Sequence, residues 1–139
     1  MQREYEICVS SRLMNLATIA EFVSEQARLA GLDEDQVFEV QMAVDEACTN
    51  SMEHAYNGQG DGELRVCCYV ESDDFVVRVT DYGRAFDPSV VAAPNLSLPL
   101  EEREIGGLGL FLMGKLMDRV EYRANGKEGN QTLMRKRVH

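Results

Sequence analysis

The sequence predicts an α+β fold in one domain. Its predicted strands and helices come in blocks, which disfavours a sheet built from alternating parallel β-α-β units. A length of 139 residues suits one domain that can enclose a core. With 45% apolar and 27% charged residues, the composition is that of a globular chain. There is no internal repeat, so 1–139 reads as a single unit.

Tyr5, Ile7 and Val9 alternate with Glu4, Glu6 and Cys8, the period of a short first strand. Ser10 or Ser11 can cap a helix reaching about Ala30, with Leu13, Leu16, Ala20, Val23 and Ala27 as its apolar stripe. Gly31 stops it. The second helix has a stronger start. Asp33 is a good N-cap, Glu34 and Asp35 suit the positive end of the helix dipole, and Gln36 completes a capping-box pattern. Val37, Val40, Val44, Ala47 and Cys48 form the stripe of this helix, which is expected to run to about Tyr56.

The glycine-rich loop 57–62 leads into a hairpin. Leu64, Val66, Cys68 and Val70 alternate with polar residues, 71–74 turns the chain, and 75–80 returns. Three prolines and little periodicity mark 88–104 as a long connection, of the kind that is usually functional or disordered. Gly106-Gly107-Leu108-Gly109 opens a third helix to about Met117, and strands near 120–124 and 131–138 flank Asn125-Gly126.

The net charge of −10 and the lack of a basic cluster before Arg135-Lys136-Arg137 argue against nucleic-acid binding. Acidity of this kind serves solubility or attracts a basic protein partner. No apolar run approaches the roughly 20 residues that span a bilayer. The first residues lack the order of a signal peptide, so a cytoplasmic location is expected, with no membrane contact. Cys8, Cys48, Cys67 and Cys68 have no zinc-ligand spacing. They read as reduced, core-filling residues, with Cys67 and Cys68 on opposite faces of a strand.

Three constellations carry chemistry. Glu46, Asn50 and His54 recur every four residues on the second helix and so lie along one stripe. Asn50 can offer a neutral oxygen to Mg²⁺, and Glu46 can take a proton from an attacking hydroxyl. The same spacing also describes the solvated flank of an amphipathic helix, and a structural role fits His54 best. Asp81 ends a strand on the face shared by Phe75, Val77 and Val79. A carboxylate there needs a donor, either a ligand's amino group such as that of adenine or its own backbone in a turn. Gly83 would let backbone approach a ligand. The glycines at 106–109 can receive phosphate at a helix N-terminus or can simply begin a helix. They lack the Lys-Ser/Thr ending of a P-loop and the context of a dinucleotide-binding fingerprint.

Together, and in this order, the three patterns resemble one family. Glu46-Ala47-Cys48-Thr49-Asn50-Ser51-Met52-Glu53-His54-Ala55-Tyr56 resembles the N-box of GHKL (Bergerat-fold) ATP-binding domains. The run from Asp81 to Pro88 resembles the first glycine box, and that from Gly106 to Met113 the second. The wording of the N-box and the Asp-Pro after the first glycine box are especially similar to the anti-sigma-factor serine/threonine protein kinases.

The resemblance spans nearly the whole chain. It implies a two-layer α/β sandwich whose mixed, mostly antiparallel sheet has helices on one face, with an ATP lid at about 88–105. It further implies ATP and Mg²⁺ as cofactors, Glu46 as catalytic base and Asn50 as metal ligand. Asp81 would meet the adenine amino group, with Gly83 beside it. Gly107, Leu108 and Gly109 would border the phosphates, and Thr132 would stand near the base. Ser51 departs from the small apolar residue usual at its position, and Arg84-Ala85 from a more glycine-rich pair.

The implied activity is phosphorylation of a STAS-domain anti-sigma-factor antagonist, in competition with a sigma factor, by a protein expected to be a homodimer. The alternative is a nucleotide-binding regulatory module with little kinase activity. A histidine-kinase catalytic domain would need a helical segment carrying the phosphoacceptor histidine, and the roughly 10 residues before the first helix are too few for one.

Overall fold

The structure, a computed structural model, describes residues 3–85 and 113–138. Five strands form its sheet: β1 (Glu4–Ser10), β2 (Glu63–Glu71), β3 (Asp74–Asp81), β4 (Arg119–Ala124) and β5 (Asn130–Arg137). Their order is β1-β2-β3-β5-β4. Each of the four pairings is antiparallel, so the parallel component of the expected mixed sheet does not occur among the described residues. Two helices, α1 (Leu16–Leu29) and α2 (Glu34–Asn50), pack on one face.

The second helix begins as its sequence dictates. Asp33 accepts from the Gln36 amide at 2.8 Å while the Gln36 side chain accepts from the Asp33 amide at 3.1 Å. Such a cap is worth about 1 kcal/mol. Gln36 also donates through Nε2 to Arg137 O at 3.0 Å, which fastens the start of α2 to the end of β5. Val37, Val40, Val44, Ala47 and Cys48 are all buried.

The first helix starts later than expected. A 3-10 turn, Leu13–Asn15, precedes it, and neither Ser10 nor Ser11 caps it. The Ser11 hydroxyl instead donates to Gln59 O at 2.5 Å and accepts from the Gly62 amide at 3.0 Å, tying β1 to the loop before β2. The tighter turn shifts the helical phase. Leu13 is therefore exposed, and Ile19, missing from the expected stripe, is fully buried beside Val23 and Ala27. Gly31, at φ +102°, ends the helical run as foreseen.

Pleating places alternate residues on the helix-facing side, where Leu64, Val66, Cys68, Phe75, Val77, Val79 and Met134 form the core with the helices. Cys67 lies on the other face, clustered with Tyr69 and Val76. Cys8 corrects the expectation of core-filling cysteines, because it is exposed on β1, which among the described residues pairs only with β2, and its Sγ lies 3.3 Å from Glu63 Oε1.

Candidate functional site

The end of α2 departs from a plain α-helix. After Asn50 the chain makes a π-helical turn, Ser51–Ala55, closed by Tyr56 N donating to Ser51 O at 3.1 Å across five residues. Such turns are rare and recur at functional sites. Tyr56 fixes this end of the helix. Its hydroxyl donates to Glu63 O at 2.6 Å and accepts from the Tyr82 amide at 2.7 Å, joining the turn to the start of β2 and the exit of β3.

Strand register builds the opposite wall. Asp81 pairs with Asn130, and Val79 pairs with Thr132, which in turn faces Tyr122. These residues share the helix-facing side, so Asp81 and Thr132 come into one cleft with Asn50 and His54 of the helical end. Ala47, Ala55 and Met113 give it apolar lining, and Ser51, Arg84 and Tyr122 complete it.

At one end of the cleft the Asp81 carboxylate is buried and held from three directions. Its Oδ1 accepts from Asn130 Nδ2 at 2.8 Å and from the Gly83 amide at 3.1 Å. Its Oδ2 accepts from Ser51 Oγ at 2.7 Å. The backbone-turn reading of Asp81 is thus realised through Gly83, and the residue faces the cleft as well. Asn130 Nδ2 also donates to Gly83 O at 3.1 Å, bracing the chain after β3.

Gly83 serves a contact absent from the sequence reading. It does not line the cleft; its Cα packs against Ala55, and a Cβ there would stand 2.6 Å from the Ala55 carbonyl carbon. The Arg84 amide donates to Ala55 O at 2.9 Å.

Glu46 lies one helical turn before Asn50, partly exposed and outside the residues that line the cleft. Burial raises its carboxyl above the ordinary pKa, and the nearby charges of Asp45 and Glu53 add to the rise. A raised carboxyl is a better proton acceptor near neutral pH. His54 Nε2 is buried and has no hydrogen-bond partner among the described residues. Gly107, Leu108 and Gly109, and the lid expected at 88–105, lie outside the described residues.

This donor and acceptor set fits an adenine nucleotide. Apolar lining suits a flat base, Asp81 offers an acceptor to an amino group, and the orphaned His54 nitrogen is the kind of group a ligand or water completes. For Mg²⁺ the described residues supply the Asn50 amide oxygen and no cluster of three or more His, Cys, Asp or Glu. That suits an ion that takes most of its ligands from phosphates and water.

Sequence reasoning had placed Asn50, Asp81 and Thr132 at this site, and the fold brings those three together. It missed the roles of Ser51, Tyr56 and Asn130. Each of these is polar and partly or fully buried, but its partner lies 7 to 49 residues away. No local pattern announces such pairings.

A family model described as the histidine kinase-like ATPase domain matches residues 9–136. The serine-protein kinase RsbW of Listeria innocua is 36% identical over 117 residues, covering 81% of this chain and 73% of that protein. The same-named kinase of Bacillus velezensis is 36% identical over 107 residues, covering 74% and 67%. That of Halalkalibacterium halodurans is 34% identical over 120 residues, covering 84% and 73%.

Among solved structures, the RsbU and RsbW domains of a Mycobacterium tuberculosis protein superpose with a TM-score of 0.69 at 15% identity. The match covers 98% of this chain and 32% of that one, so this chain spans about a third of its length. The Acinetobacter baumannii histidine kinase AdeS superposes with a TM-score of 0.55 at 12% identity, covering 99% and 69%. At such identities the likeness is one of fold.

Proposed function

The chain belongs to the histidine kinase-like ATPase domain family, with RsbW serine-protein kinases among its relatives, and from that premise we propose that it is an ATP-dependent serine/threonine protein kinase. Its proposed role is that of an anti-sigma factor, with a STAS-domain antagonist as phosphoacceptor and a sigma factor as the competing partner. A cytoplasmic, homodimeric protein completes this reading. Among the described residues no helix is long and apolar enough to cross a membrane.

The observation that carries the proposal is the convergence of Asn50 and Asp81 in one cleft, with Glu46 one turn before Asn50 on the same helix. Asp81 orients the base by accepting from its amino group. Asn50 would hold Mg²⁺ through its amide oxygen, and Gly107 and Gly109 would border the phosphates. When bound, the ion draws negative charge from the phosphates during transfer. Glu46 takes the proton from the seryl or threonyl hydroxyl as its oxygen bonds to the γ-phosphorus. The bond from that phosphorus to the β,γ-bridging oxygen breaks, and ADP leaves. Catalysis on this plan consists mainly of positioning and charge stabilisation.

The test is to mix the protein with Mg-ATP and STAS proteins encoded near it, and to search for phosphoserine or phosphothreonine by mass spectrometry. Glu46→Ala should keep ATP affinity and lower transfer by about 10² or more. Equal loss of binding and transfer would make Glu46 structural. Bound ATP with no transfer to any candidate would point to a nucleotide-gated binding module.

A further inference from the structure

Ser51 occupies the first position of the π-helical turn, directly after Asn50, and only 7% of it is exposed. A hydroxyl has one hydrogen, and here it is given to Asp81 Oδ2 at 2.7 Å, because a carboxylate oxygen accepts. Only lone pairs remain on Ser51 Oγ. A carboxylate offers about four acceptor positions. On Asp81 the pair at Oδ1 is taken by Asn130 Nδ2 and the Gly83 amide, and one at Oδ2 is taken by Ser51. Among the described residues nothing donates to the remaining position, which is on Oδ2, beside Ser51 Oγ. Both Ser51 and Asp81 line the cleft, whereas Asn130 does not.

We propose that Ser51 is a specificity-determining residue whose hydroxyl, its hydrogen committed to Asp81, presents a second acceptor beside Asp81 Oδ2. This end of the cleft then selects a base with an exocyclic amino group carrying two N–H donors. An aminopurine satisfies both acceptors. An oxopurine sets its own carbonyl oxygen against them and leaves buried acceptors unpaired, at a cost of about tenfold in affinity for each. The inference rests on the nucleotide reading of the cleft. It gives a role to the position where the chain departs from the small apolar residue of the resembling family.

The experiment is calorimetric titration with ATP, GTP and purine riboside 5′-triphosphate, which carries hydrogen in place of the 6-amino group. Wild type, Ser51→Ala, Ser51→Cys and Ser51→Thr are compared, with a thermal melt of each. Wild type should prefer ATP over the purine riboside triphosphate by about 10², the worth of two buried hydrogen bonds. Ser51→Ala should narrow that preference about tenfold, chiefly by weakening ATP. Ser51→Cys, which keeps the volume but accepts weakly, should behave alike, and Ser51→Thr should restore the preference.

Equal weakening of ATP and the purine riboside triphosphate by Ser51→Ala and Ser51→Cys would overturn the proposal, leaving Ser51 a structural tie. Equal wild-type affinity for those two nucleotides would overturn it without any variant while sparing the nucleotide reading. Wild type that takes up none of the three would remove the nucleotide reading itself, and this inference with it.

Discussion

Replacing Gly83 with alanine separates two reasons for a glycine after Asp81. If the glycine exists to admit a ligand, Gly83→Ala leaves the nucleotide-free protein intact and weakens only binding. The structure gives it a different neighbour. An alanine Cβ would sit 2.6 Å from the carbonyl carbon and 2.8 Å from the Cβ of Ala55, and closer still to the Ala55 carbonyl oxygen. Carbon atoms rest at about 3.5 Å or more, so the β3 exit and the π-helical turn must part by about 1 Å. The bond from Arg84 N to Ala55 O, now 2.9 Å, would stretch past hydrogen-bonding range. Gly83 has no positive φ, so the cost is one of space and not of backbone conformation.

Overpacking of this kind costs about 1–3 kcal/mol and the lost bond about 1 more, giving a destabilisation of about 2–4 kcal/mol. For a domain of this size that lowers Tm by roughly 10 °C. Thermal and urea denaturation without nucleotide measure it. An unchanged Tm together with a large loss of ATP affinity would refute the packing argument and restore the ligand as the reason for the glycine.

Asp81→Asn keeps the shape but puts an amide NH₂ either against the donors at Oδ1 or where the base's amino group should meet an acceptor. ATP affinity should fall by about 10² or more, read by calorimetry, and unchanged affinity would remove Asp81 from the base site. Glu46→Gln tests the cost of the raised carboxyl. A carboxyl protonated more readily in the folded chain than in the unfolded one adds stability below its ordinary pKa and loses it as pH rises through the folded value. Urea unfolding should therefore show Glu46→Gln stabilising at pH 7 and with little effect near pH 4; an equal gain at both would contradict the burial argument. Tyr56→Phe removes the bonds to Glu63 O and from the Tyr82 amide, and should cost about 1–2 kcal/mol in the same assay. No change would mean that water replaces the hydroxyl at both groups.

What could be read in advance was whatever the chain encodes within a few residues. The Asp33–Gln36 capping box, the stripe from Val37 to Cys48 and the Gly31 stop are local, and each appears where the spacing placed it. Local reading failed where distant groups competed. Ser11 had a loop carbonyl 48 residues away to satisfy, and so it did not cap α1. The π-helical turn after Asn50 has no signature in its composition, because the Tyr56 contacts with Glu63 and Tyr82 accompany it only once the strands are in place.

The sequence by itself determined the order of the described strands and of α1 and α2, the amphipathic faces and two chemical types in the cleft: a carboxamide and a strand-end acid. Helical and strand periods and cap chemistry act over a handful of residues, so these are written in the chain directly. Tertiary structure alone decided that Ser51 and Asn130 grip Asp81, across 30 and 49 residues, and that Gly83 makes room for Ala55. Those partners meet only after strand register has set Asp81 opposite Asn130 and the end of α2 has settled over that row. A pairing between distant segments has no local energy by which the sequence could disclose it.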